Sequence, residues 1–246
     1  MAISAEPTDE QNMELLATTS ETKRVAVGVI LAALYAVLAV VPLSAFIGAA
    51  SIISFAICIA PIMGIVLGPL RGFVFGLIGG ILAAMISMVM PFNLYLVIPT
   101  TIAGPAIAGL FVGLLTHRRS VIGVLATTLY LLSIIGLFLV PRFQAWIFMT
   151  PYFLAVIVAL SLLIVGIKFN LDKKGLAKYL QFLPFTFIGA MLDHSMMAMG
   201  SIYILGLDAG LFIGIFPLML IERTIATIVG AIIGYIVLTV LGGELS

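Results

Sequence analysis

Long apolar runs, separated by short links rich in glycine, proline or polar residues, repeat along almost the whole chain. A helix crossing a hydrocarbon layer about 30 Å thick needs about 20 mainly apolar residues, at a rise of about 1.5 Å each. Eight segments meet that length, at approximately 24–41, 50–68, 71–90, 98–116, 120–140, 147–167, 180–200 and 212–240. None alternates at period two as a barrel strand would. The pattern predicts an all-α, polytopic transmembrane helical bundle of about eight spans, residues 23–246. Residues 1–22, with Glu6, Asp9, Glu10, Glu14 and Glu21 ahead of the first bases, form a polar N-terminal tail without the positive start of a secretory signal.

Composition removes the soluble alternative. The 246 residues are 63% hydrophobic and 9% charged, against about 25% charged in a soluble domain. Charge placement then sets the orientation. With the N-terminus in the cytoplasm, Lys23, Arg24, Arg71, Arg118, Arg119, Lys168, Lys173, Lys174 and Lys178 all fall inside; Arg142 falls outside and Arg223 within a span. That asymmetry follows the positive-inside rule and predicts a multi-pass protein of the cell membrane with both termini cytoplasmic. The outer connections then hold Ser44, Asn93, Tyr95, Arg142, Gln144, Trp146, Tyr203 and Asp208. Asn93, Tyr95 and Trp146 are candidate contacts for a ligand arriving from outside, although each taken alone suits a loop, or for Trp146 and the tyrosines an interfacial aromatic belt, better than a ligand contact.

The sharpest chemistry lies inside two spans, where Asp193-His194 and Glu222-Arg223 interrupt apolar sequence. An ionised side chain at mid-helix costs about 2.5–3.5 kcal/mol on the insertion scale, so these four groups must face protein or a wet cavity. Asp193 lies about 20 Å along its span and Glu222 about 15 Å down the next, near one depth. Adjacent helical residues point about 100° apart, so Asp193 would pair with Arg223 and His194 with Glu222. Three roles are open to them: an interhelical brace, a substrate-binding site, or a proton relay through His194.

Other chemistries lack their residues. There is no phosphate-binding Gly-x-x-x-x-Gly-Lys-[Ser/Thr], no His-Glu-x-x-His and no Gly-x-Ser-x-Gly. A single cysteine, Cys58, cannot build a disulfide or a thiolate metal site. Met191, Met196, Met197 and Met199 read as flexible apolar wall. No catalytic activity, cofactor, metal or nucleic-acid partner is expected.

Small residues recur every fourth position at Gly28, Ala32 and Ala36, at Gly72, Gly76, Gly80 and Ala84, and at Ala226, Gly230 and Gly234. That spacing puts each set on one helix face, where backbones can approach closely. The later two sets predict packing inside the bundle; the first equally suits docking on another membrane protein. Pro61, Pro99, Pro105, Pro184 and Pro217 would kink spans, and Leu67-Gly68-Pro69-Leu70-Arg71-Gly72 predicts a tight helical hairpin.

From Lys23 to about His117 the chain resembles the substrate-binding S component of energy-coupling factor (ECF) vitamin transporters. The resemblance rests on the bases before an Ala-rich first span (Ala32, Ala33, Ala36), the spacing P-x-x-G-x-x-x-G-P-x-x-G from Pro61 to Gly72, a Gly-rich third span, and the segment from Pro99 to Gly113. It implies a protein that captures a vitamin or related small molecule from outside. That protein would dock through Gly28, Ala32 and Ala36 on a transmembrane coupling subunit driven by two cytoplasmic ATPases. Typical S components have six spans, and the nickel and cobalt branch carries histidine where this chain has Ala2, so metal uptake is not implied. Two other functions fit the residues alone: a self-sufficient ion-coupled secondary transporter, and a structural membrane subunit.

Overall fold

In lipid a backbone has no solvent partner for its N–H and C=O groups, so each apolar segment must satisfy them internally as helix. The computed structural model describes residues 9–41, 54–89, 98–117, 121–164 and 175–241, without the side chains of 9–20 and 241. Those residues form helices α1 (Asp9–Ala39), α2 (Ala60–Leu67), α3 (Pro69–Val89), α4 (Ile98–His117), α5 (Val121–Arg142), α6 (Thr150–Ile164), α7 (Gly175–Leu180), α8 (Phe182–Tyr203) and α9 (Ala209–Leu241). Short 3-10 segments cover Phe55–Cys58 and Phe143–Met149.

Among the described residues, six helical stretches are long and apolar enough to cross a membrane: Glu21–Ala39, Pro69–Val89, Ile98–His117, Val121–Ile164, Gly175–Tyr203 and Ala209–Val240. The difference from eight has two causes. The stretch Val121–Ile164 is not one rod, because the backbone leaves helical geometry at Arg142 and Ala145 and α5 and α6 then pack on each other. Phe138 and Phe148 stack with ring centroids 5.4 Å apart, where a straight helix would separate them by about 15 Å. Two predicted segments therefore lie within it, joined by a reversal.

Among the described residues, the segment expected at 50–68 is helical over Phe55–Leu67, about 20 Å of helix and shorter by itself than the hydrocarbon layer; residues 50–53 lie outside the described residues. Every residue of α2 is buried, against α3, α4, α8 and α9. A helix without an exposed face is an interior element. Gly68 ends it at φ 81°, a backbone conformation that a side chain strains, and α3 starts at once from Pro69. The expected hairpin is there.

Glycines set the closest approaches. An added Cβ on Gly76 would lie 2.5 Å from the Pro105 carbonyl oxygen, and one on Gly80 2.7 Å from that of Ile102. α3 and α4 thus run antiparallel with backbones in contact. Across its other face α3 receives α1 in parallel: Gly28 lies under the Phe75 ring, and a Cβ on Gly79 would lie 3.3 Å from the Ala32 carbonyl oxygen. This changes the reading of the first small-residue stripe. Gly28, Ala32 and Ala36 are buried within the chain, so the expected docking face is an internal packing face. The exposed side of α1 carries Val25, Val29, Ile30 and Val37 instead. Gly230 and Gly234 meet Thr186 and Phe182, and Thr186 Oγ1 donates to the Thr227 carbonyl at 3.1 Å, fixing α8 and α9 as antiparallel neighbours.

Helix α1 begins at Asp9, so the helix that the polar tail could form around Met13, Leu15 and Leu16 is continuous with the first span. Extending a nucleated helix adds one hydrogen bond per residue fixed, which suits the good helix formers of this stretch. Glu21 then pairs with Arg71 of α3 and, at 3.6 Å, with Arg24. Lys23, Arg24, Arg71 and Lys178 share one end of the bundle, the end expected in the cytoplasm, while Arg142 and Asp208 lie at the other.

Candidate functional site

The four ionisable residues predicted at span depth are all inside the bundle. Glu222 and Arg223 are 1% and 2% exposed, and Asp193 and His194 are 7% and 6% exposed. Asp193 comes from the middle of α8, where Gly104 of α4 makes room for it: a Cβ there would lie 2.6 Å from Asp193 Oδ1. Glu222 and Arg223 come from the middle of α9, one turn beyond Pro217.

The expected pairing is not the one formed. His194 Nδ1 shares a hydrogen bond with the Tyr152 hydroxyl of α6 at 2.9 Å, not with Glu222. No ion pair joins Asp193 or Glu222 to Arg223, although Arg223 lies within electrostatic reach of both and of Tyr152. Arg223 Nε, Nη1 and Nη2 and Glu222 Oε1 have no hydrogen-bond partner. Burying polar groups in that state costs several kcal/mol, more for a charged group, so the arrangement is expensive unless something else meets them.

Sequence reasoning missed the polar groups that fix α8 around the cluster. Tyr130 of α5 donates to Ser195 Oγ at 2.7 Å, since Ser195 itself donates to the Leu192 carbonyl at 2.6 Å. Tyr152 holds His194 as described. A tyrosine in an apolar span was the only signal available, and it does not say which way the ring points. Phe148 lies 5.7 Å from the His194 ring and packs with Phe138 and Phe212, at centroid separations of 5.4 and 5.1 Å. These rings close the cluster with apolar surface.

Tyr152→Phe should therefore leave His194 Nδ1 buried without its partner, lowering stability by about 1–3 kcal/mol. Thermal unfolding of the purified variant in detergent, followed by loss of the monodisperse peak, measures it.

The residues expected in the outer connections divide. Trp146 sits in the 3-10 segment Phe143–Met149 and is 55% exposed, so the structure does not bring it to the cluster; Ala145, Phe148 and Met149 take the inward positions. Arg142 is occupied by the carbonyls of Leu207, Pro141 and Gly206 at 2.7, 2.9 and 3.3 Å. Asp208 Oδ1 accepts the Leu211 N–H at 3.0 Å at the start of α9, and Tyr203 donates to the Leu137 carbonyl. Asn93, Tyr95 and Ser44 lie outside the described residues. Among the described residues no three His, Cys, Asp or Glu side chains gather as a metal site.

What the arrangement offers chemically is a guanidinium and a carboxylate oxygen, both without a hydrogen-bond partner and both buried. The chain matches no family model, no curated protein and no solved structure.

Proposed function

We propose that this chain is the membrane-embedded substrate-binding component of an ECF-type uptake system. It takes a vitamin or related small molecule from outside the cell and passes it to a transmembrane coupling subunit powered by two cytoplasmic ATPases. The observation that carries the reading is Arg223, fully buried yet without a hydrogen bond on any of its three nitrogens. A guanidinium kept for structure alone would be paired; one kept unpaired inside a bundle suits a ligand. The Gly-Pro hairpin from Pro61 to Gly72 and the absence of a nucleotide-binding motif support the assignment of the energy source to a partner. Docking through Gly28, Ala32 and Ala36 does not form part of the proposal, because α3 covers that face.

Reconstitution tests it. The chain alone in liposomes should bind the small molecule that copurifies with it, returned in labelled form, and should not accumulate it. Accumulation driven by a proton or sodium gradient alone would establish an ion-coupled secondary transporter instead.

A further inference from the structure

The interior polar groups of this bundle fall into two sets. Tyr130, Ser195, Tyr152 and His194 are engaged with one another or with backbone carbonyls. Thr128 Oγ1, Glu222 Oε1 and the three nitrogens of Arg223 have no hydrogen-bond partner. The ionisable members of that set are Glu222 and Arg223, so selection by charge falls on residues 222 and 223.

We infer that the ligand is a small dipolar molecule, with a carboxylate or similar planar oxyanion received by Arg223 and a hydrogen-bond-donating nitrogen received by Glu222. The inference rests on the reading of this cluster as a ligand site and gives that site its chemical class. A guanidinium presents five N–H donors in a planar fork, accepts nothing and remains charged, so its complement is a two-oxygen anion. A buried carboxylate oxygen needs a donor. The two residues are consecutive on α9, diverge by about 100° at the backbone and do not hydrogen-bond each other, so each needs its own partner.

Charge makes the same selection. Asp193 and Glu222 both lie within electrostatic reach of Arg223, so the cluster holds two carboxyl groups against one guanidinium. A simple anion would meet the carboxyl groups as well as the cation. A molecule with both poles places its negative end on Arg223 and its donor end toward the acids.

The test uses the full chain, purified from host membranes in mild detergent with nothing added, so that the host's own metabolite pool is the probe. Mass spectrometry identifies the small molecules released on denaturation from wild type, Arg223→Lys, Arg223→Gln and Glu222→Gln. Wild type should release, near one per chain, a molecule bearing both an oxyanion and an N–H donor. Arg223→Lys keeps the charge without the fork and should carry at least about tenfold less. Arg223→Gln should carry none, and Glu222→Gln a reduced load. A released molecule without an oxyanion, or an Arg223→Gln load equal to wild type, overturns this ligand class and leaves the binding function standing. A wild type that releases nothing overturns both. If Arg223→Gln does not fold, the identity of the wild-type load and the Arg223→Lys loss still decide.

Discussion

Gly109→Leu is expected to yield essentially no folded protein. Gly109 sits on α4 where α2 and α3 converge. A Cβ on Gly64 would lie 2.5 Å from its carbonyl oxygen and one on Gly72 2.8 Å from the same atom, while a Cβ on Gly109 itself would overlap the Gly72 carbonyl. Every obstacle there is backbone, which cannot rotate aside as a side chain can. Overpacking a well-packed core costs about 1–3 kcal/mol even where side chains give way, and here the helices must separate. Helix association in lipid relies on close packing because the hydrophobic effect does not drive it, so separation removes the main contact among three helices. Gly136→Leu is the control. It adds the same side chain to a helix where nothing lies within 4 Å of the new Cβ, and should express and elute as wild type. Fluorescence-detected size exclusion of the two variants makes the comparison; a monodisperse Gly109→Leu peak would contradict the described α2–α3–α4 crossing.

The triple variant Asp193→Asn, Glu222→Leu, Arg223→Met should fold at least as well as wild type while binding nothing. Replacing buried ionic groups by apolar side chains of similar volume is often neutral, or stabilising by about 1–4 kcal/mol, because their desolvation penalty disappears. Here the penalty is offset little from within, since Arg223 has no hydrogen bond and Glu222 Oε1 none either. Changing all three residues matters. Removing Arg223 alone leaves two buried carboxyl groups, Asp193 and Glu222, without their counter-charge. A raised thermal midpoint in detergent, with loss of the copurifying small molecule, is the signature of a ligand site. A fall of more than about 2 kcal/mol would instead identify the cluster as a brace between α8 and α9.

Much of the molecule was readable before folding. The apolar runs gave helix wherever residues are described, and Lys23, Arg24, Arg71 and Lys178 lie at one end of the bundle; Arg118, Arg119, Lys168, Lys173 and Lys174 lie outside the described residues. Depth arithmetic placed Asp193, His194, Glu222 and Arg223 together in the interior, because residue count along a helix converts directly into distance. Rotation about the helix axis is different. The sequence offered Asp193 to Arg223 and His194 to Glu222, whereas packing turned His194 toward Tyr152 and left Arg223 open. Trp146 was grouped with the site for its outer position, but the 3-10 segment turns it outward and puts Phe148 inside. Nothing in the composition distinguishes these two aromatic neighbours.

The limits of the one-dimensional reading have one source. A water-soluble helix announces its buried face by its polar one, but in lipid both faces are apolar, and Ile122 at 73% exposure reads the same as buried Ile62. The apolar run ending in Phe55–Leu67 could therefore pass for a lipid-facing helix, and the Gly28 stripe for a free surface. The sequence by itself determined that the chain suits lipid and must be helical there, from transfer energies summed along it, and at what depth the charges lie, from residue count along each helix. Which helix is central, which small-residue face closes on which neighbour, and which buried donor stays unpartnered were decided only by tertiary packing, because shape complementarity between helices depends on all of them at once.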